Sequence, residues 1–280
     1  MHRFHLRHNR PECAACEKAN GNHQTQGLCG PADVPMSGPS RVFAILDLFT
    51  HERPIWTPDE INEALGYSRP TGYRYVKELV DAGMLRKVSA GRYSLGSRII
   101  ELDFQLRQTD PVLLAAMPAM QRLAARSGFD AVLTVLFPGP RVIDIHRVDA
   151  DVALELAYGR GRPRPVFRSA APKILLAHLP RAQLMKVFEA HAKEVASAGL
   201  GNSWAEFRVA LADIRKQGYY RSAGELEPAL GAVAVPVFNA DNECVAALAL
   251  VGQVERVEAQ AVPTLLRHLH EATAAIRGGL

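Results

Sequence analysis

The chain has 280 residues, 48% of them hydrophobic and 22% charged, with a formal net charge of +4. That length suits two domains of ordinary size, about 100–200 residues each, and the composition excludes wholesale disorder, collagen-like repeats and coiled-coil rods. The longest apolar stretches, around residues 229–238 and 245–251, are shorter than the roughly 18–20 residues that cross a bilayer.

The chain opens MHRFHLRHNRPEC, with Arg and His where a secretory signal needs an apolar run, so the expected location is the cytoplasm, with no membrane partner. Three of the four cysteines, Cys13, Cys16 and Cys29, fall in the first 29 residues, and only Cys244 lies in the rest, which is no disulfide framework. Residues 1–36 are rich in His, Asn, Gln, Gly and Pro and lack an apolar period. They read as a disordered leader, with Met36 as an alternative translation start. Cys13, Cys16, His23 and Cys29 are zinc-ligand types, but loose spacing and the lack of apolar anchors argue against a metal site, and no cofactor is expected.

From Ser40 the text changes. Val42, Ile45, Leu46 and Phe49 recur at the spacing of an amphipathic helix. Thr57-Pro58-Asp59-Glu60 is a capping box that opens a second helix carrying Ile61 and Leu65 and closed by Gly66. Ser68 is placed to cap a third helix, with Val76, Leu79 and Val80 inward and Gly83 ending it. Strand-like Leu85–Val88 and Arg92–Leu95 flank a Ser89-Ala90-Gly91 turn, a hairpin with basic residues on both arms. Residues 37–96 thus read as a winged helix-turn-helix domain. Between Arg69 and Arg98 seven basic residues face two acidic ones, a local excess of +5 that suits a polyanion.

Helical spacing over residues 97–108 predicts a linker helix, assigned to 97–110, and a further helix follows over residues 112–127. Within 111–280, strands are predicted at 131–137, 141–148, 152–158, 232–238 and 244–251. Helices are predicted at 170–179, 181–198, 203–218 and 263–277. Antiparallel strands with helices at intervals, and no βαβ regularity, indicate an α+β sensor-like domain.

The chemistry of the third helix points to double-stranded DNA. Its outward residues, Arg69, Thr71, Tyr73, Arg74 and Lys77, combine phosphate partners with groups that hydrogen-bond base edges in the major groove, and Arg92 at the wing tip adds a phosphate or minor-groove contact. A winged helix used only for protein contacts is the alternative, and Arg74 reads equally as structural. One short recognition helix covers few base pairs, so the expected target is a pseudo-palindromic operator read by a dimer.

Several segments in order resemble the IclR family of bacterial transcriptional regulators: Arg69-Pro70-Thr71-Gly72-Tyr73-Arg74, then Gly91-Arg92-Tyr93-Ser94-Leu95-Gly96. Later come Pro165–Lys173, Gln217-Gly218-Tyr219, Gly224-Glu225 and Ala234-Val235-Pro236-Val237. The resemblance implies a winged helix-turn-helix reader joined by a linker helix to a GAF-like effector domain, assembled as a dimer or tetramer. Three features depart from the family pattern. Gly72 replaces an apolar residue, which would remove a core contact; Pro172 precedes Lys173 in place of glycine; Ala232, Ala249 and Val251 stand where polar side chains are usual.

If the family's pocket is carried over, these apolar positions favour a small organic acid with an aromatic or extended apolar body. Its carboxylate is expected on the capped turn Ser169-Ala170-Ala171, with a hydroxyl or carbonyl near Glu225 or Tyr219. The alternative is that the three positions pack the core. Catalysis is not expected: the sequence lacks a phosphate-binding Gly-Lys-Ser/Thr loop and a His-Glu-x-x-His pair, and Gly159-Arg160-Gly161-Arg162 lacks a third glycine. His268 and His270 are two apart on a helix and face different sides, and Cys244 opens an apolar strand as a small core residue.

Overall fold

The computed structural model describes residues 37–150, 154 and 159–280, so the leader, its cysteines and nearly all of the strand expected at 152–158 lie outside the described residues. The chain divides into two compact units on either side of the Ser97–Arg98 bond.

The first unit holds helices α1 (Gly38–Asp47), α2 (Pro58–Leu65) and α3 (Arg69–Asp81), then strands β1 (Leu85–Ser89) and β2 (Arg92–Leu95). The capping box forms as its spacing requires: Thr57 Oγ1 accepts from the Glu60 N–H, and Glu60 Oε2 accepts from the Thr57 N–H at 2.7 Å. Gly66 ends α2 at φ +66°. Ser68 sits at the N-cap of α3, but its hydroxyl donates to Thr71 Oγ1 at 2.9 Å, and no side-chain cap forms. Ile45, Trp56, Ile61, Val76, Leu79 and Leu85 form the core. Backbone hydrogen bonds in both directions between Trp56 and Tyr93 pin the wing to the segment before α2.

Gly72 is not the missing core contact that its sequence position suggests. A Cβ there would lie 1.5 Å from Asn62 Oδ1, because the Asn62 side chain, 7% exposed, fills that space from α2. Neither polar atom of its amide has a hydrogen-bond partner.

The second unit begins with α4 (Arg98–Thr109) and α5 (Pro111–Ser127), the latter capped by Asp110, whose carboxylate accepts from the Leu113 N–H. Strands β3 (Asp130–Phe137), β4 (Arg141–Val148) and β5 (Pro163–Arg164) follow, then helices α6 (Ala170–Ala177), α7 (Arg181–Ser197) and α8 (Trp204–Gln217). Strands β6 (Tyr220–Ala223), β7 (Leu230–Phe238) and β8 (Cys244–Gln253) and helices α9 (Val254–Ala259) and α10 (Val262–Arg277) complete it. The two-residue β5, the four-residue β6 and the six-residue α9 go beyond the sequence expectation; each is too short to show a period.

The strands described in this unit form one six-stranded antiparallel sheet, ordered β5-β4-β3-β8-β7-β6. Alternation along the strands separates its faces. Leu133, Val233, Val235, Leu248 and Leu250 meet α5 and α10 on one face. Val132, Ala232, Ala234, Ala247, Ala249 and Val251 face α6 on the other. Small side chains on that second face let α6, all eight of whose residues are buried, lie close against the sheet.

Candidate DNA interface and effector cavity

The solvent face of α3 carries what the sequence placed there. The side chains of Arg69 and Lys77 are 79% and 80% exposed, Tyr73 is half exposed, and Arg74 and Arg92 are exposed. Their neighbours restrain them lightly. Arg69 Nε lies 3.3 Å from Asp59 Oδ1, and Lys77 Nζ 4.0 Å from Asp81, pairs exposed enough to exchange for phosphate at little cost. Arg74 leans over the Tyr75 ring at 5.2 Å and lies 3.9 Å from Glu78, so its structural and DNA-facing roles are compatible. Thr71 is half-buried, and its hydroxyl accepts from Ser68. On the wing, Arg86 Nε donates to Ser94 Oγ at 3.1 Å across the two strands, which leaves Lys87 and Arg92 as its exposed cations nearest the turn.

In the second unit a cavity opens between the α6 face of the sheet and the segment joining β6 to β7. It contains about 420 Å³ of atom-free space, partly continuous with solvent. Val132, Ala232, Val251, Leu226 and Leu230 make its apolar wall, and Asp144, Arg164, Ser169, Ser222 and Glu227 its polar side. Thr134 and Asp144 are cross-strand partners, and the Thr134 hydroxyl donates to Asp144 Oδ1 at 2.7 Å. Arg164 Nη1 donates to both Asp144 oxygens, at 2.9 and 3.0 Å, with the two side chains 9% and 4% exposed.

The beginning of α6 differs from expectation. Ser169 does not cap the helix with its side chain; it adopts φ +75°, ψ 169°, a conformation that strains any residue with a Cβ. Its N–H donates to Glu225 Oε2 at 2.9 Å, so Glu225 already supplies a carboxylate to this turn. Lys173, 3% exposed, donates to the same oxygen at 2.6 Å and to the Tyr220 hydroxyl at 2.9 Å, and that hydroxyl donates to Glu225 Oε1. This network ties the β6–β7 segment to α6.

Of the effector residues expected from sequence, Ser169, Ala232 and Val251 line the cavity. Ala170, Ala171 and Ala249 are buried in the core beside it. Tyr219 packs against the cluster on the opposite face of the sheet, while its neighbour Tyr220 faces α6, because successive residues entering a strand point to opposite sides. Sequence reading passed over Asp144, Arg164, Ser222 and Tyr220. The signal that could have flagged Asp144 is a carboxylate two residues from Val142, on the inward parity of a strand.

Burial pushes the Cys244 thiol up to about 12, which suits a core residue and not a nucleophile. Elsewhere in this unit the Arg160 guanidinium, hydrogen-bonded to Asp103, holds that carboxyl below its ordinary range. Burial, with Arg107 and Arg160 nearby, lowers His146. Among the described residues no group of His, Cys, Asp and Glu could hold a metal ion, and no helix is long and apolar enough to cross a membrane.

Residues 39–89 match the IclR helix-turn-helix domain, and residues 105–277 match the C-terminal domain of IclR bacterial transcriptional regulators. The chain belongs to the IclR family. Its relatives include the transcriptional regulator XynR of Escherichia coli, 28% identical over 86% of this chain and 95% of that protein, and the Pca regulon regulatory protein of Pseudomonas putida, 27% identical over 86% and 84%. Among solved structures, an IclR regulator from Alicyclobacillus acidocaldarius has a TM-score of 0.70 at 27% identity, covering 88% of this chain and 99% of that one. An IclR homolog from Microbacterium hydrocarbonoxydans, solved with 4-hydroxybenzoate, has a TM-score of 0.66 at 26% identity, covering 87% and 99%. The IclR assignment makes the first unit a DNA-binding domain and the protein a transcription regulator whose relatives are regulators, not enzymes.

Proposed function

We propose that this cytoplasmic regulator controls genes for the breakdown of an organic acid with an aromatic body, binding the acid in the cavity of its second unit and a pseudo-palindromic operator through α3 and the wing. The observation that carries the sensing half is the cavity itself, an apolar wall opposite a buried charged pair, the composition expected of a small-molecule site. The 4-hydroxybenzoate complex of the similar Microbacterium protein supports this ligand class. The carboxylate position is revised from the Ser169–Ala171 turn, where Glu225 sits, to the Arg164 side of the cavity.

Self-association has its own support. Helix α4 buries none of its residues, and it exposes Ile100 and Phe104 by 73% and 59%, along with Leu102 and Leu106. Large apolar side chains in that number on one short helix call for a covering surface, and a second copy of α4 gives the two-fold symmetry that a palindromic operator requires.

The test combines selection of operator DNA from a random pool with gel shifts in the presence and absence of benzoate and 4-hydroxybenzoate. A selected palindrome whose affinity changes with either acid is the expected result. A selected operator indifferent to both acids, with no thermal shift of the protein, would remove the sensing half and leave the regulator.

A further inference from the structure

The arginine in the cavity has an unused edge. Arginine offers five N–H donors in a planar fork, and the edge shared by Nε and Nη2 is one of the two that grip a carboxylate in a bidentate pair. The same edge is used elsewhere in this chain, where Arg147 Nε and Nη2 both donate to one carboxylate oxygen, Asp130 Oδ2, at 3.0 and 2.6 Å. Arg164 is engaged differently. Asp144 takes Nη1 only, Nη2 reaches Ser169 Oγ at the long distance of 3.5 Å, and Nε has no partner although it is buried. A buried charged donor without an acceptor is costly, and it marks a place where an acceptor is missing.

We infer that the Nε–Nη2 edge of Arg164 is the carboxylate anchor of the effector and that Asp144 is its positioning residue, an assignment that rests on reading this cavity as the effector site. Two further features agree. The cavity that Arg164 lines also holds Ser169, whose hydroxyl makes only the 3.5 Å contact that a carboxylate would replace, and the apolar Val132, Ala232 and Val251, which suit the ligand's body; Asp144 and Glu227 are its acidic residues. Asp144, held by Thr134 and by Nη1, fixes the guanidinium plane before any ligand arrives, which reduces the ordering cost of binding. The neighbouring lysine is not an alternative anchor, since Lys173 is committed to Glu225 and Tyr220.

The anchor explains what the ligand must be. A carboxylate satisfies both donors of the edge; a primary amide offers one acceptor oxygen and a mismatched NH₂; an alcohol offers a single oxygen. The site therefore selects acids over neutral molecules of the same shape.

The experiment is isothermal calorimetry on the full chain with benzoate, phenylacetate, benzamide and benzyl alcohol. Arg164→Lys keeps a cation for Asp144 but removes the fork. It is expected to weaken benzoate or phenylacetate roughly 10- to 100-fold, the usual worth of hydrogen bonds to a charged group, while changing benzamide and benzyl alcohol by less than about threefold. As a control for loss of folding at the β4–β5 edge, the double variant Asp144→Asn/Arg164→Gln, which removes both charges together, is measured beside it with circular dichroism as a check of folding. It should show the same selective loss of acids.

Equal loss of acids and neutral analogues in both variants would overturn the anchor and make Arg164 a purely structural residue. Acid binding unchanged in either folded variant would overturn it also, while leaving the cavity as the effector site. If wild-type protein binds none of the acids yet binds its operator, the effector reading itself falls and the anchor with it.

Discussion

Replacing Asn62 with alanine is expected to make the helix-turn-helix unit more stable, although the residue is buried between α2 and α3. Its amide has two shielded polar atoms without partners, a penalty of about 1–3 kcal/mol, and asparagine costs roughly 0.6 kcal/mol more than alanine inside a helix. Against this stand the packing contacts of one small side chain, about 1 kcal/mol. The net gain is about 1–2 kcal/mol, or on the order of 4–8 °C per kcal/mol for a unit of this size.

Gly72 sharpens the test. Gly72→Ala places a methyl 1.5 Å from Asn62 Oδ1 and 2.7 Å from its Cγ, an overpacking cost of about 1–3 kcal/mol that exceeds the roughly 1 kcal/mol of helix propensity gained. Once Asn62 is alanine, the same methyl has room and only the propensity gain remains. The sign of the Gly72→Ala effect should therefore reverse between the two backgrounds, with a coupling of about 2 kcal/mol. Thermal melts followed by tryptophan fluorescence in a Trp204→Phe background report this unit alone, since Trp56 is then the sole tryptophan of the chain. Equal destabilisation by Gly72→Ala in both backgrounds would refute the argument that Asn62 dictates the glycine.

Other expected outcomes can be checked separately. Arg69→Ala or Tyr73→Ala should reduce discrimination between operator and competitor DNA, whereas Arg92→Ala should weaken both and lower the slope of log affinity against log salt by about one, as measured by fluorescence anisotropy at several salt concentrations. Ile100→Asp combined with Phe104→Asp should shift the protein toward monomer in light scattering without changing its circular dichroism, because α4 buries nothing within its own chain; an unchanged mass would place the dimer contact elsewhere. Thr57→Ala should destabilise the first unit by about 1 kcal/mol through loss of the cap. The Thr57 backbone N–H holds the Glu60 carboxyl below its ordinary value of 4.5, so the Glu60 part of the box stabilises above that pH and is lost as pH falls through the lower folded value; a Glu60→Gln protein should show a flatter acid limb. Iodoacetamide at pH 8 should leave the Cys244 peptide unlabelled in native protein and label it in urea, since burial keeps the thiol protonated.

The helices of both units were legible because their signals are local. The capping box at Thr57, the glycines after α2 and α3 and the apolar spacing of α1 each lie within about two turns of chain, and each appears where the sequence put it. So were the exposed cations of α3, since a helix with one apolar stripe must turn the rest outward. Ala232 and Val251, singled out by the family resemblance and not by a pattern along the strands, line the cavity.

Three things were decided only by tertiary contacts. Gly72 reads as a missing core residue until α2 brings Asn62 into its space from ten positions away. The start of α6 reads as a free anion-binding turn, and it is Glu225, 56 residues later, that comes to occupy it. The buried pair that gives the cavity its charge joins Asp144 to Arg164 across the β4–β5 ladder, in a strand of two residues too short to leave a pattern. Local propensity fixes elements within a few residues of chain, whereas polar partners inside a sheet-and-helix core are chosen by which strands and helices come to lie together, and no spacing along this chain encodes that meeting.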